Sequence, residues 1–292
     1  MLSLPDELVS HIFALCLPIV DSKRGLCPSA NSAPLLLVQV SSLWRQIAFG
    51  TSELWCSVEK EYQGNQPPTD DPMLVLWLER AQSRPIHLVV QRISQRLLLA
   101  IIWRFPNIAR LRAGCCSTPG SILSLPFSPG PQSSIQFLDL HEYLLGPINM
   151  VLDHPGFALP NLQRLAIRYI STASLQSFLE RSALGNALCR LEYWVDGGTR
   201  RRDLRRLLRA IPALTHLKLH EECYTFRPGT PLPSLCVFGA LLAPGIAPRL
   251  EELRLDTRLH EKDYRVLVKV IRERFRPSSS GLATVHVYQH YT

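Results

Sequence analysis

The sequence predicts an α/β protein with a small helical module over residues 1–57, a linker with one bridging helix over 58–84, and an irregular solenoid with a curved parallel sheet over 85–292. Three observations predict it. Apolar stripes at helical spacing run through residues 6–16 and 34–48. A six-residue apolar pattern recurs seven times beyond residue 100, and the charge divides between these two regions.

Of the 292 residues, 46% are hydrophobic and 19% charged, which supports sizeable cores and excludes a disordered chain. The densest apolar run, 97–103, is bounded by Arg96 and Arg104 and falls far short of the roughly 20 residues that span a bilayer. Asp6 and Glu7 stand where a secretory signal would carry basic charge. Cys16, Cys27, Cys56, Cys115, Cys116, Cys189, Cys223 and Cys236 show no CxxC spacing, and several lie in apolar periodic segments. They read as buried free thiols in a reducing compartment. The expectation is a soluble protein of the cytoplasm or nucleus, without membrane contact.

The first helix starts behind Pro5, carries Asp6 and Glu7 at the positive end of its dipole, and stops before Pro18. Its stripe is Leu8, Ile12, Leu15 and Cys16, widened by Val9 and Phe13. Residues 19–33 read as a loop. Pro34 then opens a second helix through Ala48, with Leu37, Val40, Trp44, Ile47 and Ala48 as its buried face, and Thr51-Ser52-Glu53 resembles a cap before Leu54 and Trp55. Such a module holds more apolar surface than so short a segment can bury, and it would favour a partner.

Leu4-Pro5-Asp6-Glu7-Leu8-Val9, Ile12-Phe13, Leu17-Pro18, the run Leu37 to Ala48 with its Val40, Trp44 and Arg45, and Leu54-Trp55 together resemble an F-box, most of all those of mushroom-forming fungi. The resemblance covers about residues 3–57, with Ser41 where many F-boxes carry cysteine and with a longer loop at 19–33. It implies binding to the Skp adaptor and, through it, to the cullin scaffold of a ubiquitin ligase. Leu4, Pro5, Leu8, Ile12, Leu37, Val40 and Trp44 match the positions that build or contact that interface.

Beyond this module Asp71-Pro72 starts the bridging helix, with Met73, Leu76, Trp77 and Arg80. The pattern apolar-x-x-apolar-x-apolar then begins at Ile108, Ile135, Leu162, Leu188, Leu214, Leu250 and Leu282, at spacings of 27, 27, 26, 26, 36 and 32 residues. Four near-equal intervals match the period of leucine-rich repeats, with one strand and one helix or irregular arm each. Residues 86–90 read as the first strand, and 174–181, 202–210 and 261–275 as helical arms. No consistent Asn marks the turn, so the solenoid is irregular.

Side chains alternate along a strand, so inward repeat leucines send their neighbours to the concave face. From that face Phe137 and Trp194 are offered as apolar anchors, with Arg164, Arg168, Arg190 and Lys218 as cations, a set suited to an acidic or phosphorylated protein client. Residues 1–80 hold 5 Lys/Arg against 9 Asp/Glu, whereas 81–292 hold 27 against 15. The run Arg200-Arg201-Arg202 with Arg205, Arg206 and Arg209 reads as the solvated face of an arm. It lacks the aromatic set that would argue for nucleic acid.

Walker A, GxGxxG, GxSxG and HExxH are absent from the sequence, and His216 and His220 lie roughly 13 Å apart on one strand at about 3.3 Å per residue. No catalytic residues, metal ligands or cofactors are therefore predicted. The expected function is that of a non-catalytic substrate receptor of an SCF-type ligase. The alternatives are a free-standing repeat scaffold capped by the helical module and a nucleic-acid-binding solenoid.

Overall fold

Residues 4–19, 24–62, 71–116, 134–142, 149–168, 170–195, 199–221, 240–241, 245–256, 265, 267–269, 272 and 284–288 are described in a computed structural model of the chain. It is an α/β structure of two compact units, Met1–Ile135 and Gln136–Thr292. All strand pairings within each unit are parallel. Among the described residues, no helix is long and apolar enough to cross a membrane.

The first unit opens with α1 (Asp6–Leu15), whose start is fixed by Pro5: its carbonyl accepts the Leu8 and Val9 N–H groups at 3.0 and 3.1 Å. The single helix expected from Pro34 to Ala48 is two, α2 (Leu37–Val40) and α3 (Ser42–Gly50). They are divided at Ser41, which is extended (φ −156°, ψ 168°) and whose hydroxyl accepts the Trp44 N–H at 3.1 Å. A serine that caps cannot also continue the preceding helix. The break corrects the expected buried face: Leu37, Ile47 and Ala48 are buried, whereas Val40 and Trp44 are exposed.

A 3-10 turn at Ser52–Trp55 buries Leu54 and Trp55 completely. The Trp55 indole N–H donates to the Ala48 carbonyl at 2.9 Å, and its ring meets the edge of Trp77 at 4.9 Å. Trp77 lies on α4 (Pro72–Arg80), the predicted bridging helix, with Pro72 in the first turn and Asp71 as the cap. The Asp71 carboxylate accepts from the Leu74 N–H and the Tyr62 hydroxyl, both at 2.9 Å. Burial works against its charge, but these bonds and Lys60 at 3.4 Å hold it below the usual carboxylate range.

The first strand is not 86–90 but β1 (Ser57–Glu61), which lies, all but its first residue, inside the segment expected to be a linker. Only Val58 of its five residues is buried and three are charged, too sparse a pattern to mark a strand. β1 pairs with β2 (Ile86–Ser94), which continues through α5 (Gln95–Arg104) into β3 (Ile108–Cys116). Gly25 and Leu26 of the 19–33 loop lie against β1. Leu26 accepts the Glu59 N–H at 2.7 Å, and a Cβ on Gly25 would stand 2.5 Å from the Val58 carbonyl, so the close approach requires glycine.

In the second unit, β4 (Phe137–Glu142), β5 (Arg164–Ile167), β6 (Arg190–Val195), β7 (His216–Glu221), β8 (Glu252–Asp256) and β9 (Thr284–Tyr288) pair in chain order. The predicted triplets set the register: Leu138, Leu165, Leu191, Leu217, Leu253 and Val285 align, as do Leu140, Ile167, Tyr193, Leu219, Leu255 and Val287. All but the two valines are buried. Ahead of three of the strands the first residue of the triplet closes a turn: Leu162, Leu214 and Leu250 donate to carbonyls three residues back. Pro160, Pro212 and Pro248, two residues earlier, occupy turn positions where no N–H is needed.

One backbone contact repeats with the sequence period. The Gln136 carbonyl accepts from the N–H groups of both Gln163 and Arg164; Gln163, Cys189 and Thr215 do the same for 189–190, 215–216 and 251–252, at 2.8–3.1 Å. The arms α7 (Thr172–Arg181) and α8 (Arg201–Arg209) fall where predicted, α7 starting two residues earlier, and α8 buries Leu204, Leu207 and Leu208, with Ile211 just beyond, as expected. A short helix α6 (Asn149–Leu152) was not anticipated. Of the arm expected at 261–275, the described residues are helical; the strands' companion segments 117–133 and 222–239 and the repeat start Leu282 lie outside the described residues.

Two substitutions test this packing in opposite directions. Leu217→Ala removes a core side chain between Leu191 and Leu253 and should destabilise the protein by about 2–5 kcal/mol in urea titration. Ala183 follows the end of α7 at φ +52°, the left-handed position that favours glycine, so Ala183→Gly should raise stability by about 0.5–1 kcal/mol.

Candidate functional site

Two surfaces carry the residues that the sequence singles out, one on each unit. On the first, Phe13 is the one buried residue of α1, packed on Trp44 with ring centroids 4.9 Å apart. The Thr51 hydroxyl ties α3 to α1, donating to the Ile47 carbonyl at 2.8 Å and lying 2.9 Å from the Ser10 hydroxyl. With α1 anchored on that side, the rest of its stripe turns to solvent. Leu8 is 52%, Ile12 45% and Leu15 74% exposed, and Leu4 and Pro5 are exposed ahead of them.

Val40 and Leu43, each more than half exposed, and the partly open Trp44 add apolar surface from α2 and α3. Six of the seven predicted contact residues, Leu4, Pro5, Leu8, Ile12, Val40 and Trp44, are therefore available at the surface. Leu37 is buried and supports the module from inside. Leu15 and Leu43, outside the predicted set, are exposed as well, and Leu15 continues the Leu4–Leu8–Ile12 face by helical spacing.

On the second unit the non-core residues of the strands form rows across the open face. The first row is Phe137, Arg164, Arg190, His216, Glu252 and Thr284; the second is Asp139, Ala166, Glu192, Lys218, Arg254 and His286. Trp194, His220, Asp256 and Tyr288 form a third. The predicted residues Phe137, Arg164, Arg168, Arg190, Trp194 and Lys218 do share this face, but it differs from a surface of available cations, because the acidic residues of the same rows hold some of them.

Glu192 is the centre of the difference. Its Oε1 accepts from Lys218 Nζ at 2.8 Å and lies 2.8 Å from His220 Nε2, while His220 Nδ1 lies 2.9 Å from Asp256. Burial would raise the Glu192 carboxyl, but the hydrogen bonds and charges of His220 and Lys218 overcome it and bring the group down to about 2. Glu252 likewise holds Arg254 and has His216 at 3.4 Å.

The aromatic anchor is also engaged. The His220 ring stacks on one face of Trp194, 3.9 Å away and 4° from parallel, and the Arg168 guanidinium lies 4.1 Å from the Trp194 centroid. Trp194 is part of an internal stack rather than an open apolar anchor. Arg164 lies 5.0 Å from the Phe137 centroid. The His220–Glu192–Lys218 contact joins residues on strands about 26 positions apart, and the signal available in sequence was the charge alternation within the aligned triplets.

Among the described residues, no group of three His, Cys, Asp or Glu side chains is placed to hold a metal ion. Cys16, Cys27, Cys56, Cys115 and Cys189 are free thiols; only Cys115 of these is buried, which corrects the expectation of burial for Cys16 and Cys27. Compared with known proteins, the chain matches no family model and no curated protein.

Glu192→Gln tests the network by its pH dependence. A carboxyl held at about 2 instead of 4.5 contributes stability that is complete above pH 4.5 and lost as the pH falls towards 2. The variant should be less stable at pH 7 by about 2–3 kcal/mol. Its denaturation midpoint should also change less than the parent's between pH 4.5 and 2.

Proposed function

We propose that the chain is a non-catalytic substrate receptor of an SCF-type cullin–RING ubiquitin ligase. In this reading α1–α3 are an F-box that docks the Skp adaptor, and the second unit is an irregular leucine-rich-repeat array whose open face holds a protein client. The observation that carries the proposal is the apolar stripe Leu4–Leu8–Ile12–Leu15, joined by Val40, Leu43 and Trp44, which faces solvent although Phe13, Leu37, Ile47 and Ala48 already supply a core. Contiguous exposed apolar surface marks an interaction site. A module serving only as a cap would turn these side chains inward, so their exposure favours docking over the free-standing scaffold.

The array reading is supported by the register-matched triplets and by strands that follow one another in chain order. The mechanism is positional. Holding adaptor and client on one chain converts ubiquitin transfer to the client into a reaction at high effective concentration. No group on the receptor itself needs to react.

Co-purification of the full chain with the Skp adaptor tests the proposal, beside a Leu8→Asp/Ile12→Asp variant. A stoichiometric complex is expected, weakened at least about 30-fold in the variant with an unchanged melting temperature, because both side chains are half exposed. A folded parent chain that ignores the adaptor would overturn it.

A further inference from the structure

We infer that the outward face of α8 is a docking surface for the sugar–phosphate backbone of a nucleic-acid duplex. The inference goes beyond the receptor reading and uses neither α1–α3 nor the open sheet face.

The arginine run at 200–209 is displayed on one side of a helix. α8 turns Leu204, Leu207 and Leu208 inward and is arginine at five of its nine positions. Arg200, Arg201, Arg202, Arg206 and Arg209 are exposed, and Arg205 is half-buried beside them. Within the helix they form two rows, 201–205–209 and 202–206, in steps of about 6 Å. Among the described residues, no carboxylate lies within 4.0 Å of any of the five exposed guanidinium groups.

This arrangement works against the helix itself. Three pairs of like charge stand four residues apart, and Arg200, Arg201 and Arg202 crowd the positive end of the dipole. Asp203 is the only acidic residue of the helix, and no side chain caps its start. α7, which follows β5 as α8 follows β6 and packs beside it, shows what an arm needs for stability alone. The Ser171 hydroxyl caps α7 by accepting the Ser174 N–H at 3.0 Å. Its exposed residues are Ala173, Ser177 and Glu180, and Arg181 stands in the last turn, where the dipole favours a cation. An arm of this fold therefore forms without an arginine face, and a polyanion laid along α8 relieves the repulsion.

Charge density and what α8 lacks select the polyanion. Five exposed charges lie within about 14 Å of helix, one per about 3 Å, close to the one per about 3.4 Å along each strand of a duplex. A single strand gains affinity from bases stacked on open aromatic rings, and α8 has none. In a duplex the bases are already stacked, and contacts to the backbone suffice. A lipid surface is held by apolar side chains that enter it, whereas every leucine of α8 is buried. An acidic peptide must be ordered as it binds, whereas duplex phosphates are fixed in place and release condensed counterions.

The test uses the full chain and a fluorescein-labelled 20-base-pair DNA duplex of arbitrary sequence, followed by anisotropy from 50 to 200 mM KCl. Contacts to about four phosphates give a log–log salt slope of about −3.6, a loss of affinity of roughly 100-fold across that range. Arg202→Gln/Arg206→Gln should weaken binding at 50 mM KCl at least about tenfold and bring the slope to about −1.8. Its melting temperature should not fall, because the substitutions remove repulsion. The control Arg96→Gln/Arg249→Gln removes the same charge from exposed positions elsewhere and should keep both affinity and slope.

No binding at 50 mM KCl, or an affinity and slope that survive Arg202→Gln/Arg206→Gln, would overturn the inference. An equal loss in the control would assign the binding to net charge and overturn it as well. So would a 20-nucleotide single strand bound as tightly as the duplex, displacement of the duplex by polyglutamate at equal charge, or tighter binding to phosphatidylserine vesicles. Adaptor co-purification reads α1–α3 and is independent of each outcome.

Discussion

The second unit depends on one repeated backbone arrangement: the carbonyl ahead of each of β4–β7 receives two N–H groups from the start of the next strand. Gln136, Gln163, Cys189 and Thr215 each serve in this way. Such a shared acceptor fixes where a strand begins relative to its predecessor. A slip of one residue would both leave buried amide groups unsatisfied and turn the repeat leucines to solvent. The lengthened interval before β8 leaves the junction intact, because Glu251 and Glu252 still reach the Thr215 carbonyl. Insertions are thus absorbed in the arms, while the strand starts stay locked.

Registration also decides what the open face can do. Once leucines align with leucines, the intervening side chains align as well, and charges of opposite sign meet across strands. Glu192, Lys218, His220 and Asp256 become a connected polar set, and Trp194 is enclosed between Arg168 and His220. What remains open is the stretch around Arg164 and Arg190. The first unit reaches its free surface by a different route. Phe13 is the one buried residue of α1, and Leu8, Ile12 and Leu15 of that helix are left open to solvent.

Much of this was legible in the sequence because burial leaves a period. The triplets placed the paired strands β4–β9, and the leucines at 204, 207 and 208 placed α8 and its buried face. The failures have local causes. β1 carries three charged residues in five and resembles a linker. Val40 and Trp44 read as core because helical spacing runs on through Ser41, whereas its hydroxyl caps α3. Trp194, Arg168 and Lys218 read as available because composition reveals neither a stack between planar groups nor a salt bridge between strands.

The approach of Gly25 and Leu26 to β1 has a consequence beyond local packing. Among the described strands of the first unit, β1 pairs only with β2, so its other side is an edge, the kind of backbone on which a strand from another molecule can add. Leu26 already takes the Glu59 N–H, and no side chain larger than hydrogen fits at residue 25 while the segment lies there. Gly25 and Leu26, from what looks like an insertion into the helical module, thereby occupy part of the β1 edge that an added strand would need.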